Sequence, residues 1–133
     1  MSSTNWAKNQ VQDFLFGSVS FTPPTNYYLA LSTTTVSSSG SNLTEPSGAG
    51  YARVIIPNSK SYSTYSSGGC LVNSASIVYP ISTGSWGTIV DVALVSGSTS
   101  GSVWFYTTLG VPKIVQDATT ISFAASAITI SQS

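Results

Sequence analysis

The sequence contains no histidine and only four basic and four acidic residues. Histidine is the commonest general base and metal ligand in proteins, so its absence removes most hydrolytic and metal-dependent chemistry. The acidic residues are scattered along the chain, and no calcium-loop or paired-carboxylate motif connects them. They are Asp13, Glu45, Asp91 and Asp117. We therefore expect a protein that is not an enzyme and needs no metal or cofactor.

Charged residues make up 6% of the 133 residues, against roughly 25% in an ordinary soluble domain, and the formal net charge is zero. Without a basic patch the chain is not expected to bind nucleic acid. Without a polybasic segment or a long apolar run it is not expected to bind or cross a membrane. Cys70 is the single cysteine, which excludes an internal disulfide. The N-terminus lacks the features of a secretion signal, so synthesis in a cytoplasm is expected.

Uncharged polar residues replace the missing charges, with 27 Ser and 16 Thr in the chain. The aromatic content of 11% and the many β-branched residues indicate an ordered, β-rich protein rather than a disordered one. Short strand-like stretches such as 26–33 and 86–95 alternate with Gly, Ser and Pro turns. About seven or eight such strands predict an all-β fold, an antiparallel sandwich or barrel. We expect one domain over 1–133, with a helix and lead-in over 1–24 and a sandwich over 25–133.

Helical spacing of apolar residues is found in the N-terminal segment, at Ala7, Val11, Phe14 and Leu15. Thr4 or Asn5 is suited to cap the start of this helix, and Gly17 is placed to end it in the left-handed conformation. Because so short a helix is marginal by itself, it must dock either on its own sandwich or on a partner. The candidate anchor residues are Trp6, Val11, Phe14 and Phe16.

The stretch "TEPSGAGYARVIIP" places a Ser/Gly loop before an apolar run. Phosphate-binding glycine loops open a helix, whereas these glycines precede a strand, so they are expected to supply positive φ or close backbone approach. Glu45 and Arg53 are two of the few charges and are expected to pair across the loop. The residues of this fold-defining loop are Glu45, Gly48, Gly50, Tyr51 and Arg53.

Exposed aromatic residues are the other candidate site, because aromatic rings stack on sugars. Tyr62 and Tyr65 lie in a Ser-rich loop and are possible glycan-stacking residues. Trp86 and Trp104 lie in strand patterns and are expected in the core or in a subunit interface.

Five further segments follow one another in a characteristic order. They are "YYLALSTTT" (27–35), "LTEPSGAGYARVII" (43–56), "VNSASIVYP" (72–80), "GSWGTIVDVALV" (84–95) and "GVPKIVQDATTISFAASAITIS" (110–131). This ordered set resembles a family of small bacteriophage virion proteins described as tail-fibre-like or structural. The five segments cover nearly the whole chain. The family more often has Gly-Asp where this chain has "VQDAT". The resemblance implies a compact, jelly-roll-like β-sandwich used as a virion building block, made in the host cytoplasm.

The leading hypothesis is a non-enzymatic capsid decoration or cement protein that forms a homotrimer on the capsid surface. Its expected partner is the major capsid protein, which it binds through several weak contacts that add as avidity. Two alternatives stay open: a tail-fibre or baseplate component that binds tail proteins, and a module that binds host glycans. Trimer formation is implied by the resemblance alone.

Overall fold

The computed structural model describes residues 1–20, 22–59 and 71–130, together with the backbone of 63–65. Ten strands and one helix lie within these ranges. The helix, α1, spans Asn5–Phe16. The strands are β1 (Ser2–Ser3), β2 (Asn26–Ser32), β3 (Val54–Pro57), β4 (Ser63–Tyr65), β5 (Leu71–Asn73), β6 (Ile77–Val78), β7 (Gly87–Val95), β8 (Val103–Val115), β9 (Ser122–Phe123) and β10 (Thr129–Ile130). In the described part of the chain, no helix is long and apolar enough to span a bilayer.

The strands form three antiparallel sheets, which confirms the predicted all-β class with one short helix. The largest sheet has the order β1-β8-β7-β2-β3, and the smaller ones have the orders β10-β5-β4 and β6-β9. Four of the ten strands contain only two residues. They raise the number of strands above the seven or eight predicted, because a stretch of two residues is too short to show the alternation of a strand. The last segment contains two short strands, β9 and β10, on either side of Ala124 and Ala125.

Two clusters of buried side chains occupy opposite faces of the large sheet. Alternation along β2 places Leu29 and Leu31 on one face and Ala30 on the other. The first face carries the main core, which the small sheets cover. Its buried members are Leu29, Leu31, Ile77, Tyr79, Trp86, Ile89, Val92, Leu94, Val115, Ile121 and Ile128. Full burial of a large apolar side chain stabilises the fold by about 1.5–3 kcal/mol, so this cluster supplies the dominant favourable contribution.

The second face is smaller and is covered in part by the Ser-rich loop that follows β2. Val36 from this loop packs with Ala93, Val95 and Val103. Asp91 lies fully buried on β7, and one of its carboxylate oxygens accepts a hydrogen bond from the Val36 amide at 2.8 Å. This bond fixes the loop over the sheet. Asp91 was predicted only as one of four scattered acids, and its structural contact was not foreseen.

Strand β8 runs to Val115 and passes through Gly110 and Pro112. Thr108 pairs with Asp91, and Lys113 pairs with Ile89. The four residues 109–112 therefore lie opposite the single residue Val90, as a bulge in β8. Gly and Pro normally weaken or end a strand, but here Gly110 and Pro112 lie within the bulge and pairing resumes after them.

The end of α1 differs from the prediction. Gly17 has φ of −97°, which is not left-handed, and Ser18 adopts the positive φ of 55° instead. Glycine is still required at position 17, because a Cβ there would lie 2.8 Å from the carbonyl oxygen of Asp13. That carbonyl accepts the hydrogen bond of the Gly17 amide at 2.9 Å, so close backbone approach explains the glycine.

Candidate functional site

The N-terminal residues fix the first turn of α1 against β8. Thr4 is fully buried, its amide donates to the Trp104 carbonyl at 2.9 Å, and its Oγ1 donates to the Val103 carbonyl at 2.6 Å. The same Oγ1 accepts a hydrogen bond from the Ala7 amide at 3.2 Å, so Thr4 is the N-cap. Trp6 packs edge-on against Trp104, with ring centroids 4.8 Å apart. The first turn therefore docks on the chain's own sheet.

The remainder of α1 is exposed to solvent. Of its twelve residues, Ala7 alone is buried, and every residue from 12 to 20 is exposed. Four apolar side chains in this stretch have large exposed fractions: Phe14 54%, Leu15 62%, Phe16 87% and Val19 54%. With roughly 150–250 Å² for a complete aromatic side chain, these fractions leave about 500 Å² of apolar surface in water. The largest apolar patch of a monomer is about this size and is often functional.

The four predicted anchor residues lie in different environments. Trp6 is 39% exposed and packs on Trp104, so it holds the helix to the sheet and also reaches solvent. Val11 is half-buried, whereas Phe14 and Phe16 lie on the exposed turns. Two residues of similar exposure were absent from the predicted set, Leu15 and Val19. The helical spacing of four residues from position 11 to 15 was the signal for Leu15, whereas Val19 lies beyond the end of α1 and has no such signal.

The loop from Glu45 to Arg53 has the backbone and the ion pair that its sequence predicted. Gly48 and Gly50 have φ of 69° and 77°, a region in which side-chain-bearing residues are strained. Arg53 donates from Nε to Glu45 Oε1 at 2.8 Å and from Nη2 to Glu45 Oε2 at 2.7 Å, in the bidentate geometry of a strong ion pair. Tyr51 adds a hydrogen bond from its hydroxyl to Glu45 Oε1 at 2.6 Å. The fold-defining role of this loop stays a prediction.

The same network ties three segments of the chain together. The Leu31 amide in β2 donates to the Tyr51 hydroxyl oxygen at 3.0 Å. Arg53 Nη1 donates to the carbonyl oxygens of Gly97 and Ser100, the second at 2.9 Å, in the loop that joins β7 to β8. Arg53 is thereby almost fully buried, with 6% of its side chain exposed. We call these contacts the Arg53 clasp.

The contacts within the Arg53 clasp shift the pKa values of its three titratable side chains. Burial would raise the pKa of Glu45, but hydrogen bonds from Arg53 and Tyr51 and the Arg53 charge together bring it below its ordinary 4.5. Burial, followed by the hydrogen bond to Glu45, raises the pKa of Tyr51. The hydrogen bond to Glu45 raises the pKa of Arg53. The clasp therefore holds an anion, a neutral phenol and a cation at neutral pH, which suits a structural tie.

The possible glycan site lies outside the described side chains. Tyr62 lies outside the described residues, and for Tyr65 the description is limited to the backbone of β4. Both tryptophans expected in the core or in an interface are buried within the chain, Trp86 at 3% and Trp104 at 5% exposure.

The comparison with known families gives the context for these surfaces. No curated protein matches the chain at a significant level. Residues 2–131 match the family described as Podophage GP4 fiber I protein gp80. The matched range includes α1, the Arg53 clasp and all ten strands, and it confirms the resemblance to bacteriophage virion proteins. The chain therefore belongs to this family of bacteriophage fibre proteins.

Proposed function

We propose that the chain is a non-enzymatic structural subunit of a bacteriophage fibre, that it forms a homotrimer, and that the exposed turns of α1 attach it to another virion protein. The observation that carries the attachment is the set of exposed apolar side chains at 14–16 on α1 and at 19 just beyond it, because the first turn of this helix is fixed to the sheet. A fixed start gives the exposed turns a defined direction, which favours specific binding because less freedom is lost on docking.

Fibre location is preferred over capsid decoration because of the family to which the chain belongs. Capsid decoration was the leading hypothesis from the sequence, and the tail-fibre component was its alternative. The family description supports the alternative better, since it names a fibre protein. Both locations would use the same apolar attachment, so copy number in the particle discriminates between them.

The size of the exposed patch explains why a trimer is part of the proposal. About 500 Å² of apolar surface corresponds to roughly 12 kcal/mol at ~25 cal/mol per Å². Association costs about 4–15 kcal/mol in lost freedom, so one helix would bind weakly. Three helices held on one trimer would bind neighbouring sites at once, and avidity strengthens the attachment without any new kind of contact.

Attachment is tested by charging the exposed turns of α1 and measuring incorporation of the protein into particles. The double variant Leu15→Asp/Phe16→Asp is expected to lose at least about tenfold in incorporation, because docking would bury two carboxylates. The matched control is Gln12→Asp, an exposed polar position on the same helix, which adds a charge without removing apolar surface. Normal incorporation of the folded double variant would refute the attachment surface.

Location is tested by quantitative mass spectrometry of purified particles against the major capsid protein. A few copies per particle are expected for a fibre subunit. A ratio near one to one with the capsid protein would instead support capsid decoration. Light scattering of the purified protein measures its mass, and a monomer at all accessible concentrations would refute the homotrimer.

A further inference from the structure

The segment 36–41 lies between the large sheet and the start of α1, and we call it the strap. On the sheet side, the Val36 amide donates a hydrogen bond to Asp91 Oδ2 at 2.8 Å. On the helix side, the Asn5 amide donates to the Ser38 carbonyl oxygen at 2.8 Å. Because Asn5 is the first residue of α1, the strap connects the buried strand β7 to the proposed attachment helix.

Hydrogen bonds within the strap close it into a compact turn. The Ser37 amide donates to the Ser41 carbonyl oxygen at 3.0 Å, and the Gly40 amide donates to the Ser37 carbonyl oxygen at 2.9 Å. The hydroxyl oxygens of Ser37, Ser39 and Ser41 lie 2.7, 2.8 and 3.0 Å from one another. Since the turn is closed by its own bonds, its contacts with the sheet and with α1 are expected to form and break together.

Gly40 brings the strap close to the N-cap of α1. Its φ of 81° lies in the left-handed region that favours glycine. A Cβ at this position would lie 3.2 Å from the Val103 Cβ and 3.8 Å from the Thr4 Cγ2. The strap therefore packs against both the capping residue and the strand that holds it, at a distance that leaves little room for a larger residue.

The bond between the strap and the sheet leaves one buried oxygen unsatisfied. Asp91 is fully buried, and among the described residues its Oδ1 has no hydrogen-bond partner. Burial of a polar atom without a partner is unfavourable, and opening of the strap would return this oxygen to water. The packing of Val36 on Ala93 and Val95 favours the closed strap. These opposing contributions make the strap easier to open than the strands beneath it.

We infer that Asp91 is a positioning residue for α1 and acts through the strap. While the strap is closed, α1 is supported at Asn5 as well as by its Thr4 cap. When the strap opens, the cap remains, because Thr4 bonds directly to the carbonyl oxygens of Val103 and Trp104. The later turns then lose one of two supports and have a less defined direction. The inference rests on the proposed attachment through α1 and gives that site a means of regulation.

Amide hydrogen exchange of the purified protein, followed residue by residue by NMR, is the first test. Asp91→Ala is expected to speed exchange of the Asn5 amide by at least about tenfold, although Asn5 does not touch Asp91. The Thr4 amide, which is bonded to Trp104, is expected to keep its rate. Asp91→Asn retains an oxygen that accepts from Val36, so it is expected to keep Asn5 protected. An unchanged Asn5 rate in Asp91→Ala, or equal acceleration at Thr4, would overturn the inference.

Two further variants separate the strap from general loss of stability. Ser82→Ala is the matched control, because Ser82 is equally buried and its hydroxyl bonds to the backbone of Thr119, at 3.1 and 2.9 Å. It is expected to leave the Asn5 rate unchanged relative to Thr4. Gly40→Ala disturbs the strap without altering Asp91 and is expected to accelerate Asn5. Selective acceleration of Asn5 by Ser82→Ala, or none by Gly40→Ala, would contradict the proposed route.

Incorporation into particles tests the consequence for attachment. Asp91→Ala is expected to lower incorporation by at least about threefold, because docking must then order a less defined helix. Asp91→Asn and Ser82→Ala are expected to be incorporated like wild type. Normal incorporation of folded Asp91→Ala beside a loss for Leu15→Asp/Phe16→Asp would overturn the positioning role and leave the attachment surface intact. Normal incorporation of both would refute the attachment and this inference with it.

Discussion

Replacing Arg53 with alanine tests the strongest electrostatic feature of the structure. The substitution removes two hydrogen bonds to Glu45 and two to the loop between β7 and β8. Removing one partner of a buried ion pair costs about 3–5 kcal/mol, because the other charge is left without compensation. The Glu45 side chain is 22% exposed, so water recovers part of that loss. We expect the free energy of unfolding to fall by about 3 kcal/mol.

Thermal unfolding turns this energy into a measurable shift. An unfolding entropy of about 2.1 cal/mol/K per residue gives roughly 280 cal/mol/K for 133 residues. A loss of about 3 kcal/mol then lowers Tm by about 10 °C. Protein concentration must be the same for all variants, because the proposed homotrimer would make Tm depend on it.

A double-mutant cycle isolates the pair itself. Glu45→Gln keeps the shape and some hydrogen bonding of the side chain and removes its charge. We expect a coupling energy of about 2 kcal/mol between Glu45→Gln and Arg53→Ala. Lys113→Ala is the control for loss of a cation, because Lys113 is exposed and its removal is expected to cost at most about 0.5 kcal/mol. If Arg53→Ala costs no more than Lys113→Ala, the Arg53 clasp does not stabilise the fold.

Two further predictions concern the same loop. The pKa of Glu45 is lowered in the folded state, so its contribution to stability is complete above its ordinary pKa of 4.5 and is lost as pH falls through the lower folded value. The Tm of wild type is therefore expected to fall more steeply than that of Glu45→Gln below pH 4.5, and parallel curves would contradict this. Gly50→Ala is expected to cost about 2–3 kcal/mol and Gly48→Ala about 1 kcal/mol in denaturant unfolding. Both have positive φ, but a Cβ at position 50 lies 3.3 Å from the Ile81 carbonyl oxygen, whereas position 48 is open. Equal costs would show that this contact is unimportant.

The sequence predicted the features that depend on local pattern or on scarce residue types. The all-β class followed from short alternating stretches, and the Thr4 cap followed from its position before the helical spacing. The pairing of Glu45 with Arg53 was predictable because few other charges compete for either partner. The hydrogen bonds from Arg53 to Gly97 and Ser100 were not predictable from the sequence. Their acceptors are backbone carbonyls, which no residue type marks, and these carbonyls come close to Arg53 only when the sheet forms.

Tertiary packing decided the remaining features. Gly110 and Pro112 lie within β8, yet the strand resumes after them because pairing with β7 compensates for the bulge. Asp91 interrupts an apolar strand, and its burial depends on a loop amide some fifty residues away in sequence. The amphipathic spacing of α1 was equally compatible with docking inward or outward. In the structure the first turn docks on the sheet, with Ala7 buried, and the later turns are exposed.

The distribution of charge bears on how the described surface can recognise a partner. Glu45 and Arg53 are used in the clasp, and Asp91 is buried, so these three charges contribute little to the surface. In the described residues the exposed or half-exposed charges that remain are Lys8, Asp13, Lys113 and Asp117. Four such charges, balanced in sign, cannot produce the strong field that steers a partner or fixes a register electrostatically. Contacts made by the described surface would therefore depend on apolar shape and hydrogen bonds, and the later turns of α1 are the exposed apolar feature proposed to make them.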